Sequence, residues 1–242
     1  MAGSDKAQEQ LFAPGQSARQ KYQALIVGRS GVGALLKYEL VVTLSQHVPG
    51  ALGLVLRKFL YPLLLGSCGR NVVFGQNVVL RHPHKIRIGN NVVIDDNCLV
   101  DAKGENNRGI QIGDGVFVGR NSILSCKNGD IEIADSANIG FNCEVFSASR
   151  VTVGKGVLMA AYCYVIGGDH DFSDPAKSVL EQKRTSAGVS VGDGVWMGAG
   201  VKILDGVTVG DGAVIGAAAV VKDDVPASAI AVGIPARVVA SR

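Results

Sequence analysis

A repeat of six residues limits what this chain can fold into more than any other feature of it. From Phe74 onward the pattern is aliphatic, Gly or small, two polar or turn-prone residues, small or Val, then any residue. It runs FGQNVV from Phe74, IGNNVV from Ile88, IDDNCL from Ile94, IGDGVF from Ile112 and VGRNSI from Val118, then IADSAN from Ile133, IGFNCE from Ile139, VGKGVL from Val153 and MAAYCY from Met159. After a break it resumes as VGDGVW from Val191, MGAGVK from Met197, ILDGVT from Ile203, VGDGAV from Val209 and IGAAAV from Ile215. A helix repeats its faces about every 3.6 residues and a strand about every 2.0, so neither accounts for six. A chain coiled as a prism does. Each hexad supplies one short flat strand and one corner, the aliphatic side chain points inward, and the fifth residue is small where the interior is crowded. Gly, Asn and Asp at the second to fourth positions tolerate corner conformations. Three hexads close a coil of about 18 residues, and hexapeptide repeats are a sequence mark of parallel β-helices. The repeat leaves the hand of the coil open, since parallel crossovers are normally right-handed.

Composition agrees with a narrow, repetitive interior: among 242 residues there are 32 glycines, while aromatics reach only 5%. Lys plus Arg number 24 against 21 Asp plus Glu, and a net charge of +3 gives no field that implies a nucleic-acid partner. The five cysteines, Cys68, Cys98, Cys126, Cys143 and Cys163, lack the spacing of a metal or redox site. Three of them fill the small-residue slot of the hexad, which reads as reduced core thiols in a cytoplasmic protein. The opening MAGSDKAQEQ has no secretory pattern. The most apolar stretch, residues 51–66, is interrupted by Arg57, Lys58 and Pro62, well short of the roughly 20 apolar residues that span a bilayer.

Residues 1–29 read as a flexible arm with a short helix near 19–27. Residues 30–66 read as a helical extension. Leu35, Leu36, Leu40, Val41 and Leu44 mark one helix, residues 52–65 a second, and Pro49 and Gly50 the turn between them. This pair either covers one end of the main domain or lies on a membrane surface. Arg57 and Lys58, beside the Leu-rich face of residues 51–66, suit an anionic interface. Residues 67–242 form the solenoid domain, with small interruptions near 81–85, 103–109 and 127–130 and a long one over 167–188. Long excursions from a regular scaffold are usually functional.

Four histidines are present: His47, His82, His84 and His170. The first three read as helix-end or corner-loop residues. His170 opens the long loop beside Gly167 and Gly168 and between Asp169 and Asp171, where imidazole suits proton transfer near neutral pH. Asp169, Asp171 or Glu144 is placed to fix its tautomer, and sequence does not choose among them.

The hexads, the segment GGDHDFSDP, the block from Val191 to Pro226 and the ending AVGIPARVV together resemble the hexapeptide-repeat acetyltransferases. These include the galactoside, maltose, nodulation and xenobiotic enzymes, and the resemblance covers about residues 68–240. It implies an all-β fold, a left-handed parallel β-helix with an N-terminal α-helical extension. It implies a homotrimer with acetyl-CoA, or another acyl-CoA, lying between neighbouring subunits, and direct transfer to a saccharide or related small-molecule hydroxyl, the acceptor being soluble or lipid-linked. The general base then falls on His170. Trp196 and Gly198 match the pantetheine channel, the Ala199 amide the oxyanion donor, Ala217 a small residue flanking the pantetheine arm, and Lys222 and Arg237 the cations near the nucleotide phosphates. Asn142, Asp169 and Asp171 are the candidate acceptor-side residues. No metal is expected. Gly140 stands where the galactoside enzymes place an asparagine, so their sugar preference does not transfer.

Two other readings compete. A γ-type carbonic anhydrase shares the solenoid but needs three zinc-binding histidines across a trimer interface, a spacing that His82, His84 and His170 do not reproduce. A noncatalytic scaffold, held to a membrane by the helices, predicts no affinity for CoA.

Overall fold

The computed structural model describes residues 14–242; residues 1–13 of the expected arm lie outside the described residues. The hexads become short strands on three faces. The first face runs from Ser67–Cys68 to Thr208–Val209 and the third from Val79–Arg81 to Val220–Val221, each with seven strands. The second begins at Val73–Phe74, and its nine strands end with Ala229–Val232 paired antiparallel to Arg237–Ser241. All other pairings between coils are parallel, as in Val93↔Phe117 and Phe117↔Asn138. The result is the parallel β-helix of hexapeptide proteins, left-handed, with a small N-terminal helical part.

The periodicity explains the packing. Ile88, Ile94, Ile112, Ile139, Met159, Met197 and Ile215 point inward and are buried, and Cys98, Cys143 and Cys163 occupy the small slot as buried free thiols. Each fully buried aliphatic contributes about 1.5–3 kcal/mol, which a stacked solenoid accumulates coil by coil. On the corner between the second and third faces, Asn77, Asn97, Asn121 and Asn142 all take positive φ, which Asn tolerates better than other side chains. Their amides stack as rungs, Asn77 Nδ2 donating to Asn97 Oδ1 at 3.1 Å and Asn121 Nδ2 to Asn142 Oδ1 at 3.2 Å. Tyr162 breaks this rule: it sits at φ 64 in the same column, a conformation costing about 1–3 kcal/mol for a bulky residue.

Helix α1, Ala18–Tyr22, starts at a capping box formed by Ser17 and Gln20 and continues as a π-turn over Gln23–Val27. Part of the sequence-expected arm is therefore packed structure, with Val27 buried. Helices α2, Val32–Ser45, and α3, Gly50–Leu60, follow, the latter running into a 3-10 turn at Tyr61–Leu63. A solenoid exposes backbone groups at its first coil, an edge that invites pairing with other chains. Here side chains from the helices satisfy that edge. Tyr38 Oη donates to the Leu80 carbonyl at 2.9 Å, Arg57 Nε to Phe74 at 2.9 Å and Tyr61 Oη to Val78 at 2.8 Å. Arg57, an interfacial charge only in the membrane-surface reading of the helical pair, is 1% exposed and also ties down the Ser45 and Val48 carbonyls through Nη1. It faces the solenoid because Gly53, Arg57 and Tyr61 recur one turn apart on the buried side of α3 and its extension.

All four interruptions of the repeat leave the prism at one edge, between the third and first faces. They are the turn at Pro83–Lys85, the loop between Asp101 and Ile110, the turn between Cys126 and Asp130, and the long loop that leaves Tyr164–Gly167 and returns at Val189–Val191. The loops consequently stack on one another.

Candidate active site

His170 lies on this loop-bearing edge. Asp169–His170 pairs antiparallel with Arg184–Thr185, so the long loop folds back as a short ribbon with His170 opposite Arg184. The glycine pair before it is required by close approach. A Cβ on Gly168 would come within 2.7 Å of Ala148 Cβ and 3.3 Å of the Phe146 ring, and one on Gly167 would collide with Val151. The loop can therefore press onto Phe146 and form, with Lys127, Ala148 and Arg184, the walls of a cavity of about 260 Å³ at His170.

The His170 ring is half-buried, and its Nδ1 is buried without a hydrogen-bond partner. None of the three sequence candidates for its orienting group bonds the imidazole. Asp169 Oδ1 accepts from the His170 backbone amide at 2.7 Å. Asp171 Oδ1 accepts from the Ser173 amide at 2.9 Å, which holds its carboxyl below the usual range. Glu144 stands beside Tyr164 on the third face, and burial raises its carboxyl.

The other histidines have structural partners. His82 is buried, with Nε2 donating to the Ala24 carbonyl at 2.9 Å and Nδ1 at 3.3 Å from Asp101, which pins the π-turn after α1 to the solenoid. Burial, with the Arg29 charge nearby, pushes the His84 imidazole down to about 4. Among the described residues no group of three or more His, Cys, Asp or Glu side chains is placed to hold a metal ion.

The remaining candidates occupy other parts of the prism. Trp196 projects from the second face, half-exposed, in register with Leu158 below and Val214 above. Gly198, Ala199 and Ala217 lie on the corner between the second and third faces. Gly198 packs against Ala217, where a Cβ would meet the Ala217 nitrogen at 2.6 Å.

Several corner amides are satisfied by a carboxylate one coil away, Gln76 by Asp96 at 2.6 Å, Asp114 by Asp135 at 2.8 Å and Asp193 by Asp211 at 2.8 Å, whereas on the corner between the second and third faces no hydrogen bond is made among the described residues by the Arg120, Phe141 and Ala161 amides. At Ala199 the next coil offers Ala217, which has no acceptor, so among the described residues the Ala199 amide is left open. Asn142 is a rung of the Asn stack on this same corner, away from His170. Lys222 and Arg237 converge on one carboxylate, Lys222 Nζ at 2.9 Å from Asp223 Oδ1 and Arg237 Nη1 at 3.0 Å from Asp223 Oδ2. The two cations hold the Asp223 carboxyl down.

One chain thus brings His170 to one edge and the open Ala199 amide to another. Sequence reasoning missed Lys127, Phe146 and Arg184, whose nearness to His170 depends on three separate coils. Tyr162, 66% exposed between Asn142 and Gly200 in the corner column, was visible as the single Tyr among Asn and Gly at that hexad position.

These features define a class. The family model for bacterial transferase hexapeptide repeats (six repeats) matches residues 188–223. The dTDP-4-amino-4,6-dideoxy-D-glucose acyltransferase of Escherichia coli is 32% identical over 176 residues, covering 73% of this chain and 82% of that protein. The chain belongs to the hexapeptide-repeat acyltransferase family.

It is similar to the probable acetyltransferase Rv3034c of Mycobacterium tuberculosis, with 32% identity over 133 residues, 55% of this chain and 44% of that protein. The chain therefore spans less than half the length of that relative. Among solved structures, a point variant of AntD, an N-acyltransferase from Bacillus cereus in complex with dTDP and coenzyme A, matches with a TM-score of 0.53. The identity is 26%, over 74% of this chain and 85% of that one.

Proposed function

We propose that the protein transfers an acyl group, acetyl by default, from a coenzyme A thioester to a saccharide hydroxyl by direct attack, with His170 as general base. The observation that carries this reading is the half-buried His170 imidazole, with an unpartnered Nδ1, lining a cavity on the edge where every loop gathers. A neutral hydroxyl needs a base as it attacks, and a positioned imidazole supplies about 10²–10⁴-fold. The open Ala199 amide serves as oxyanion donor, worth roughly 3 kcal/mol of barrier. Trp196 and Ala217 flank the pantetheine arm, and Lys222 and Arg237 meet the nucleotide phosphates. The name of one relative, the dTDP-4-amino-4,6-dideoxy-D-glucose acyltransferase of Escherichia coli, agrees with a sugar acceptor.

Titration calorimetry with acetyl-CoA and longer acyl-CoAs tests the core of this reading. Binding to the wild type, weakened at least about tenfold in Lys222→Ala/Arg237→Ala, is the expected result, since charge-assisted bonds contribute about 1.5–3 kcal/mol. No binding of any thioester makes the noncatalytic scaffold the better reading.

His170 and Ala199 occupy different edges of one prism, so completing the site requires a second copy, as in a homotrimer. Exposed Phe141, Leu158, Tyr162 and Trp196 on and beside the second face supply apolar surface for that contact. Sedimentation equilibrium is expected to give a trimer, and a fully active monomer would exclude the arrangement.

Buried, unpaired thiols agree with a cytoplasmic location. Among the described residues no helix is long and apolar enough to cross a membrane. Peripheral contact is nevertheless proposed through 51–66 and the adjoining stripe of α2. Leu36, Leu40, Leu52 and Phe59 each expose more than 60% of their surface. Lys58, 5.9 Å over the Phe59 ring, supplies charge complementary to anionic lipid. Flotation with anionic vesicles is expected for the wild type and lost in Leu40→Glu/Phe59→Glu; flotation of neither would remove the contact.

A further inference from the structure

The corner between the second and third faces changes character part-way along the prism. The first of its two turn residues is Asp96, Arg120 and then Phe141 in the lower coils, but Ala161, Ala199 and Ala217 in the three coils above. The column is continuous: the Tyr162 amide donates to the Phe141 carbonyl at 3.0 Å, Gly200 to Ala161 at 2.9 Å and Ala218 to Ala199 at 2.8 Å. Three successive alanines leave a smooth channel on the outside of the prism, with Leu158 and Trp196 on its second-face side. Residues 233–236 cross the same corner above it. The Val220 amide donates to the Gly233 carbonyl at 3.0 Å and the Ala236 amide to Val220 at 2.8 Å, which sets Arg237 at the upper end of the channel. The lower end is blocked. The Phe141 ring is fixed there, edge-on to Phe117 with centroids 6.3 Å apart and with the Arg120 guanidinium 4.4 Å from its centre.

Tyr162 stands beside this channel at φ 64, in the second corner position that Asn121 and Asn142 fill in the coils below. An asparagine at 162 would tolerate the backbone and stand over Asn142 as the next rung of the amide stack. Instead the chain keeps a phenol ring there, 66% exposed, whose hydroxyl makes no hydrogen bond among the described residues. A bulky residue held against the local rule, with no bond gained in return, marks a functional position.

We infer that Tyr162, together with Phe141, closes the acyl end of the thioester channel and sets the size of the acyl group that the enzyme accepts. This rests on the acyltransferase reading and deepens it. With the nucleotide at Lys222 and Arg237, the arm passing Ala217 and the thioester oxygen at the Ala199 amide, the acyl chain continues down the corner to Ala161. Neighbouring coils lie about 4.8 Å apart, so the Ala161 coil is the free space before the Phe141 ring, and Tyr162 is its side wall.

Titration calorimetry of the full chain with free CoA, acetyl-CoA and hexanoyl-CoA reads this size limit. The wild type is expected to bind hexanoyl-CoA at least about tenfold more weakly than acetyl-CoA, since one surplus methylene in a closed pocket costs about 10–200-fold. Tyr162→Asn is expected to erase most of that difference while free CoA stays within a factor of about two. The same variant should melt at least about 2 °C higher, because the backbone strain is relieved. Tyr162→Phe keeps the wild-type profile, since the bulk of the ring and not its hydroxyl forms the wall. Sedimentation of each variant separates this role from packing between copies: a Tyr162→Asn protein that loses both its assembly and its CoA binding has lost an interface residue, which overturns the inference. Equal affinity of the wild type for the two thioesters, an unchanged profile or a lower melting temperature in Tyr162→Asn, or a Tyr162→Phe profile like that of Tyr162→Asn also overturns it. CoA binding with a profile insensitive to residue 162 defeats this inference alone, whereas a wild type that binds neither CoA nor either thioester defeats the acyltransferase reading.

Discussion

His170→Ala is expected to lower turnover by at least about a hundredfold while acyl-CoA binding stays within a factor of about two, because general-base help contributes roughly 10²–10⁴ and the groups proposed to hold CoA lie elsewhere. The side chain makes no hydrogen bond that the substitution would break at Nδ1, and its ring lines a cavity rather than the core. Stability should therefore change little, which separates a chemical effect from unfolding. Steady-state rates with acetyl-CoA and a saccharide acceptor, together with thermal unfolding of the same samples, are the measurements. Unchanged turnover would take His170 out of the mechanism, and a large drop in melting temperature would mean that the loss of rate says nothing about catalysis.

The largest stability effect is expected at Arg57. Replacing it by Met keeps much of the apolar stem but removes the donors to Phe74, Ser45 and Val48. Three carbonyls are then left in an interior where Arg57 is 1% exposed. Buried acceptors without partners cost about 1–3 kcal/mol each, and partial relaxation by water makes a total near 3 kcal/mol the expected loss in denaturant unfolding. Neighbouring Lys58, on the exposed side of the same helix, should cost less than about 0.5 kcal/mol when changed to Ala. Similar values for the two would show that α3 does not close the first coil. A partly unfolded variant that keeps the solenoid but loses α2 and α3 would show the opposite, that these helices are a removable cap.

The contrast between Arg57 and Lys58 illustrates what was legible. Sequence placed two adjacent basic residues on a Leu-rich helix and treated them alike. One points into the solenoid and one toward solvent, because the buried side of α3 is set by Gly53 and Tyr61 meeting the first coil. His82 was likewise read as a corner-loop residue, yet it is buried because it joins the π-turn after α1 to Asp101 across residues distant in the chain. For the loops a signal did exist: each interruption falls after every third hexad or a multiple of it, so counting hexads by threes would have assigned them all to one edge.

By itself the sequence determined the architecture. A six-residue alternation of inward aliphatic, small and turn-tolerant positions is a local property, satisfied hexad by hexad, and it forces a prism whatever lies at its ends. Family-matched motifs likewise picked out His170, Ala199, Lys222 and Arg237 without any distance being known. Only the tertiary structure decided which of these share an edge, that the corner amide at Ala199 is open for want of a carboxylate in the coil above, and that Lys127, Phe146 and Arg184 surround His170. Those relations link residues that meet only when coils stack and the long loop folds back, and stacking depends on the summed length of every turn in between, a quantity no local pattern encodes.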